Sequence, residues 1–122
     1  MATNVLLVDD SAVMRKMIRR SLRQAGIEVG EAYEAANGVE GLTQLTGNAV
    51  DIVLCDWNMP EMSGIEFLKE ARKTLQTPIV MLTTESSPDR VSEAMAAGAS
   101  GYITKPFTPE KLMETIGIVL GL

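Results

Sequence analysis

No histidine occurs anywhere in the 122 residues. Its absence excludes Ser/His and Cys/His nucleophile pairs, histidine zinc sites and histidine-based pH switching. The single cysteine, Cys55, cannot form an internal disulfide, which points to a reducing compartment. Aromatic residues make up only 4%, and no apolar run approaches the ~20 residues of a membrane span. The opening, Met1 to Asp10, has no basic start and meets two acids after a short apolar run, so no signal peptide is expected. A cytoplasmic location follows as the expectation. Basic charge is also short. Eleven Lys and Arg face sixteen Asp and Glu, and the net charge of −5 argues against general nucleic-acid binding.

What is present suits one globular domain. The apolar fraction is 46% and the charged fraction 22%, enough to build a core. Strand and helix signals alternate along the chain. Val5-Leu6-Leu7-Val8, Asp51 to Cys55 and Pro78 to Leu82 are short apolar runs, the pattern of strands buried on both faces. Glu28 to Ala35 and Tyr102-Ile103-Thr104 are weaker strand candidates. Helices are predicted from Ser11 to Gln24, from Asn37 to about Thr46, from Ser63 to about Lys73, from Pro88 to near Gly98, and from Thr108 towards the C-terminus. Asn37-Gly38-Val39-Glu40 and Ser63-Gly64-Ile65-Glu66 carry capping signatures, and Thr108-Pro109-Glu110 combines a cap with proline at the first helical position. Strands alternating with helices imply an α/β fold, a doubly wound five-stranded parallel sheet with five helices.

In such sheets ligands bind beyond the carboxyl ends of the strands, where strand order reverses. The residues after each strand therefore carry the chemistry. Asp9, Asp10 and Asp56 would converge on one rim, and their mutual repulsion favours a divalent cation. Hard carboxylate oxygens suit Mg²⁺, with Mn²⁺ as an alternative. Lys105 brings an ammonium and Thr83 a hydroxyl, which completes a seat for a phosphoryl group. Asp56, at the end of the central strand, is the candidate nucleophile, because carboxylates form aspartyl-phosphates.

These residues resemble a known family. Val8-Asp9-Asp10-Ser11, Asp56-Trp57-Asn58-Met59-Pro60, Met62-Ser63-Gly64, Thr83-Thr84, Gly98-Ala99-Ser100-Gly101-Tyr102 and Lys105-Pro106-Phe107 follow in the order found in receiver domains of two-component response regulators. The chemotaxis-type, CheY-like members are the most similar, and their fold is flavodoxin-like. The resemblance implies a stand-alone switch over 1–122 in which Asp56 accepts phosphoryl from a histidine kinase. It implies Asp10 as the direct metal ligand, Asp9 acting through metal-bound water, and the Asn58 backbone carbonyl as a further ligand. Thr83 would hydrogen-bond the phosphoryl group and Lys105 would pair with it. Tyr102 would change rotamer, Asn58 and Glu85 would tune phosphoryl lifetime, and the Lys105-Pro106 bond would be cis. The output would be a changed surface on the fourth helix, fifth strand and fifth helix of a monomer, read by a partner protein and reset by a phosphatase. The fourth helix starts Ser87-Pro88-Asp89, and Thr115 stands in the fifth, where well-known chemotaxis members carry lysines.

Other readings stand beside this one. The same switch can serve as a phosphate sink or relay intermediate. A haloacid-dehalogenase-like phosphatase also uses Asp, Mg²⁺, Thr and Lys, but wants an acid where Asn58 stands. A flavodoxin-like flavin carrier needs phosphate-binding N–H groups where Asp9-Asp10 would repel the ligand. Cys55 continues an apolar strand and is expected in the core, with Met14, Met17, Met81 and Met95 as core filler. Arg15, Lys16, Arg19, Arg20 and Arg23 form the polar side of the first helix, either solvated or facing an acidic docking partner.

Overall fold

The computed structural model describes residues 2–122. Met1, the first residue of the expected domain, lies outside the described residues. The chain alternates as expected: β1 (Thr3–Val8), α1 (Ala12–Gln24), β2 (Val29–Ala35), α2 (Gly38–Gly47), β3 (Ile52–Cys55), α3 (Gly64–Ala71), β4 (Ile79–Thr83), α4 (Pro88–Ala96), β5 (Gly101–Thr104) and α5 (Pro109–Leu120). The strands form one parallel sheet in the order β2-β1-β3-β4-β5. Strand order reverses between β1 and β3, which leaves a crevice at their carboxyl ends.

Side-chain alternation along each strand divides the core in two. Leu6 and Val8 of β1, Val53 and Cys55 of β3, and Ile79 and Met81 of β4 point to one side. There they pack with Leu45 of α2, Phe67 and Leu68 of α3, and Ala94 of α4. Val5, Leu7, Ile52, Leu54, Val80 and Leu82 point to the other side and meet Ile18 and Leu22 of α1 and Leu112 and Ile116 of α5. Burial on both faces is why these strands read as unbroken apolar runs.

Each helix starts at a side-chain cap. Ser11, Asn37, Ser63, Ser87 and Thr108 accept from backbone N–H groups of their own first turns. At α3 the box is reciprocal: Glu66 accepts from the Ser63 N–H and Ser63 from the Glu66 N–H. Glu40 instead reaches one residue further back, to the Ala36 N–H at 3.0 Å. Helix α3 ends at Ala71, short of the expected Lys73. The Arg72 guanidinium donates to the carbonyls of Leu75, Thr77 and Gly98 and turns the chain towards β4.

Two expectations about the core are corrected. Met81 is fully buried and Met14 partly so, but Met17 and Met95 are exposed. The inward positions are Ile18 on α1 and Ala94 on α4. One residue of helix turns the side chain by about 100°, which carries Met17 and Met95 to the surface. The polar side of α1 is also not uniformly solvated. Arg15 pairs with Glu34 of β2 at 2.7 Å and Arg19 with the same carboxylate at 3.4 Å, whereas Lys16, Arg20 and Arg23 are exposed. Among the described residues, no helix is long and apolar enough to cross a membrane.

Candidate functional site

The parallel strands deliver their chemistry to one rim. Asp9 follows β1, Asp56 follows β3, Thr83 ends β4 and Lys105 follows β5. Carboxylate oxygens of Asp9, Asp10 and Asp56 all lie within 4.8 Å of one another. Their surroundings differ. Asp9 is buried, accepts from the Ser11 N–H at 2.9 Å, and accepts from the Lys105 ammonium at 2.9 Å. Arg15 also donates to the Asp9 backbone carbonyl. Asp10 is exposed at the mouth. Asp56 is half-buried, with one carboxylate oxygen on the Trp57 N–H at 2.6 Å and the other 3.3 Å from the Lys105 Nζ. Three carboxylates this close repel one another, and one ammonium compensates only part of their charge. The donor set therefore fits a hard divalent cation.

Lys105 is held between the acids. Burial alone would lower its pKa. The hydrogen bond to Asp9 and the charges of Asp56 and Asp9 outweigh that effect and raise it, so Lys105 stays cationic. The Lys105-Pro106 bond is cis, as expected. Burial, followed by the charges of Asp56 and Asp9, pushes the Cys55 thiol well above its ordinary value. Cys55 is thus an inert core residue, as its place in an apolar strand predicts.

Around this centre lies a second set of contacts. Thr83 is fully buried, and its hydroxyl accepts from the Glu85 N–H at 3.2 Å. The Tyr102 hydroxyl donates to the Glu85 carbonyl, and its ring packs against the α2/α3/α4 side of the core. Asn58 donates to the Glu85 carboxylate at 3.1 Å. Sequence reasoning singled out all four residues but not that Glu85 joins the other three.

The sequence reading also missed what holds the loop after Asp56. A Cβ on Gly64 would stand 1.9 Å from the Asp56 carbonyl oxygen, so only glycine lets α3 start this close to Asp56. The Gly64 N–H donates to the Trp57 carbonyl at 2.8 Å. Between them Glu61 adopts a left-handed φ of 67°, a turn conformation that nothing in its side chain announces. Trp57 is buried, and the Arg90 guanidinium lies 5.2 Å from its ring centroid.

Residues 5–117 match the family model described as the response regulator receiver domain. The chain belongs to that family. It is 42% identical over 121 residues to chemotaxis protein CheY1 of Helicobacter pylori, covering 96% of each chain. It is 44% identical to a chemotaxis protein CheY homologue of Campylobacter jejuni, covering 96% of this chain and 92% of the other. The solved structure of chemotaxis response regulator CheY4 of Vibrio cholerae superposes with a TM-score of 0.85 at 43% identity, covering 98% of this chain and all of the other. The receiver domain is therefore a homologue of CheY chemotaxis regulators and a signalling switch of a two-component system, not a classical enzyme. The haloacid-dehalogenase and flavin-carrier alternatives fall with that assignment.

Proposed function

We propose that Asp56 is the phosphoacceptor of a stand-alone chemotaxis-type regulator spanning 1–122, phosphorylated by a histidine kinase in an Mg²⁺-dependent reaction. The observation that carries this reading is the Lys105 ammonium shared between Asp9, at 2.9 Å, and Asp56, at 3.3 Å. It places a cation beside the one acid that ends the central strand. The Asp56 carboxylate oxygen attacks phosphorus. The new O–P bond replaces the N–P bond of the phosphohistidine, and the departing imidazole keeps the electron pair and takes up a proton. Lys105 then leaves Asp56 for a phosphoryl oxygen without leaving Asp9, and the Thr83 hydroxyl donates to a second oxygen. Asp9, Asp10, Asp56 and the Asn58 carbonyl would hold Mg²⁺ or Mn²⁺. A bound cation supplies neutralisation of charge on the transferring group. Attack by water on the same phosphorus returns Asp56 and releases inorganic phosphate. The domain catalyses both steps on itself only.

The output is a change of the α4-β5-α5 surface of a cytoplasmic monomer, read by a partner protein and reset by a phosphatase. Service as a phosphate sink or relay intermediate uses the same chemistry and differs only in lacking an output partner.

Acetyl phosphate with Mg²⁺ tests the reading. Intact mass should rise by one phosphoryl group in the parent protein and not in Asp56→Asn. Equal labelling of Asp56→Asn would overturn the assignment. Asp10→Ala should abolish most of the Mg²⁺-dependent change in Trp57 fluorescence, and an undiminished response would remove Asp10 from the ligand set.

A further inference from the structure

The two residues directly after Asp56 both reach across to the segment that opens α4. Asn58 donates to the Glu85 carboxylate at 3.1 Å, and Trp57 lies under the Arg90 guanidinium, 5.2 Å from ring centroid to carbon. Arg90 is in the first turn of α4, whose N-terminus is fixed by Ser87 accepting from the Arg90 N–H at 3.3 Å. The same guanidinium pairs with Glu93 one turn on, at 3.2 Å. Trp57 is nearly fully buried and cannot move without moving what lies on its ring. Arg90 is about half exposed and is tethered at the ring and at Glu93.

We propose that Arg90 is a positioning residue that couples the acceptor loop directly to α4, beside the Thr83 and Tyr102 contacts at Glu85. The inference rests on Asp56 being the phosphoacceptor. The physical basis is simple. The Trp57 N–H is hydrogen-bonded to an Asp56 carboxylate oxygen at 2.6 Å, so a group added to that carboxylate changes the bond that orients the Trp57 backbone. The ring carries the shift to the cation stacked on it, and Arg90 carries it into the first turn of α4. The Arg90 charge also falls on the Tyr102 hydroxyl, where it opposes the upward pKa shift that burial and Glu85 produce. Arg90 thus stands where the acceptor loop, α4 and the β5 aromatic meet. An arginine serves this role because a flat guanidinium can stack on an indole and keep a carboxylate partner at once.

Spatial adjacency alone does not establish coupling, so the test is a comparison of states. Amide hydrogen exchange across 88–97 is measured with and without beryllofluoride and Mg²⁺ in the parent, Arg90→Gln, Arg90→Lys and Thr83→Ala. Exchange at Asp56 and Trp57 reports whether the ligand is bound. Arg90→Gln should bind it and show the change near Asp56. Its α4 response should shrink by about two- to fivefold, the weight of an exposed cation–π pair. Arg90→Lys should restore only part of the response, because an ammonium cannot lie flat on the indole and keep Glu93 at once. Thr83→Ala should retain the part of the α4 response that Arg90→Gln loses. An α4 response in Arg90→Gln equal to the parent's overturns the inference and leaves the phosphoacceptor reading intact. No response to beryllofluoride anywhere in the parent overturns both.

Discussion

Asn58 and Glu85, 27 positions apart in sequence, are joined by a hydrogen bond of 3.1 Å across the mouth of the acidic site. The bond ties the acceptor loop to the segment after β4. It also puts an amide and a carboxylate at the rim of the site, where the proposed hydrolysis would need water.

Replacing either partner by an apolar residue should therefore slow loss of the phosphoryl group. Asn58→Leu and Glu85→Leu are each expected to lengthen the lifetime severalfold, because an apolar side chain at the rim disfavours entry of the attacking water. Following the decay of phosphorylated protein by intact mass after removal of donor checks this. A lifetime shortened in both variants would contradict it.

Lys105→Met separates two roles of one ammonium. Asp9 is buried, and without Lys105 its charge loses its nearest cation, which should cost about 3 kcal/mol of stability in metal-free buffer. Mg²⁺ should bind the variant several times more tightly, because a competing positive charge has gone. Phosphorylation should still slow strongly, since the phosphoryl oxygens lose a partner. Chemical denaturation, a Trp57 fluorescence titration and labelling by acetyl phosphate measure the three effects separately. Weaker Mg²⁺ binding would show that Lys105 organises the acids more than it competes with a metal.

Thr83 and Tyr102 meet at the backbone of Glu85, one through its N–H and the other through its carbonyl. Tyr102→Phe removes the hydroxyl while keeping the ring, and should leave labelling of Asp56 unchanged. Thr83→Ala should accept phosphoryl but lose much of the phosphorylation-dependent gain in partner binding. A pull-down with beryllofluoride-treated and untreated protein reads that gain. Full retention in Thr83→Ala would mean that Thr83 is dispensable for output.

The α3 cap makes stability depend on pH. Hydrogen bonds from the Ser63 backbone N–H and then the Ser63 hydroxyl hold the Glu66 carboxyl below its ordinary value. A carboxyl lowered in the folded state stabilises the fold above its unfolded pKa, and the contribution disappears as pH falls through the folded one. Parent and Glu66→Gln should therefore differ in midpoint of unfolding at neutral pH and converge as the solution becomes strongly acidic. A difference that grows on acidification would contradict the sign.

The fold was legible because its main signals are local. Apolar runs such as Ile52 to Cys55 mark strands buried on both faces, and Ser63 with Glu66 marks a helix start within four residues. The rim residues were legible because parallel strands all end on one side, so Asp9, Asp56, Thr83 and Lys105 had to be neighbours. Contacts set by the angle of a helix or the depth of a loop were not. Met17 and Met95 have the composition of core residues but sit one helical step away from Ile18 and Ala94. The Gly64 approach to Asp56, the Arg90 stack on Trp57 and the Arg72 clamp on three carbonyls join segments that sequence spacing does not relate.

The sheet separates the buried side chains into two groups with no member in common. Trp57, Ala94 and the ring of Tyr102 belong with α3 and α4, whereas Ile18, Leu22, Leu112 and Ile116 belong with α1 and α5. Close packing makes each group sensitive to a single methylene, but a change in one does not propagate through shared side chains into the other. Substitutions on the exposed α1 face, at Lys16, Arg20 and Arg23, should therefore leave the packing around Trp57 and Tyr102 as it is. Of the proposed output surface, α4 and the ring of Tyr102 have that separation, whereas α5 shares its packing with α1 and would register a change there.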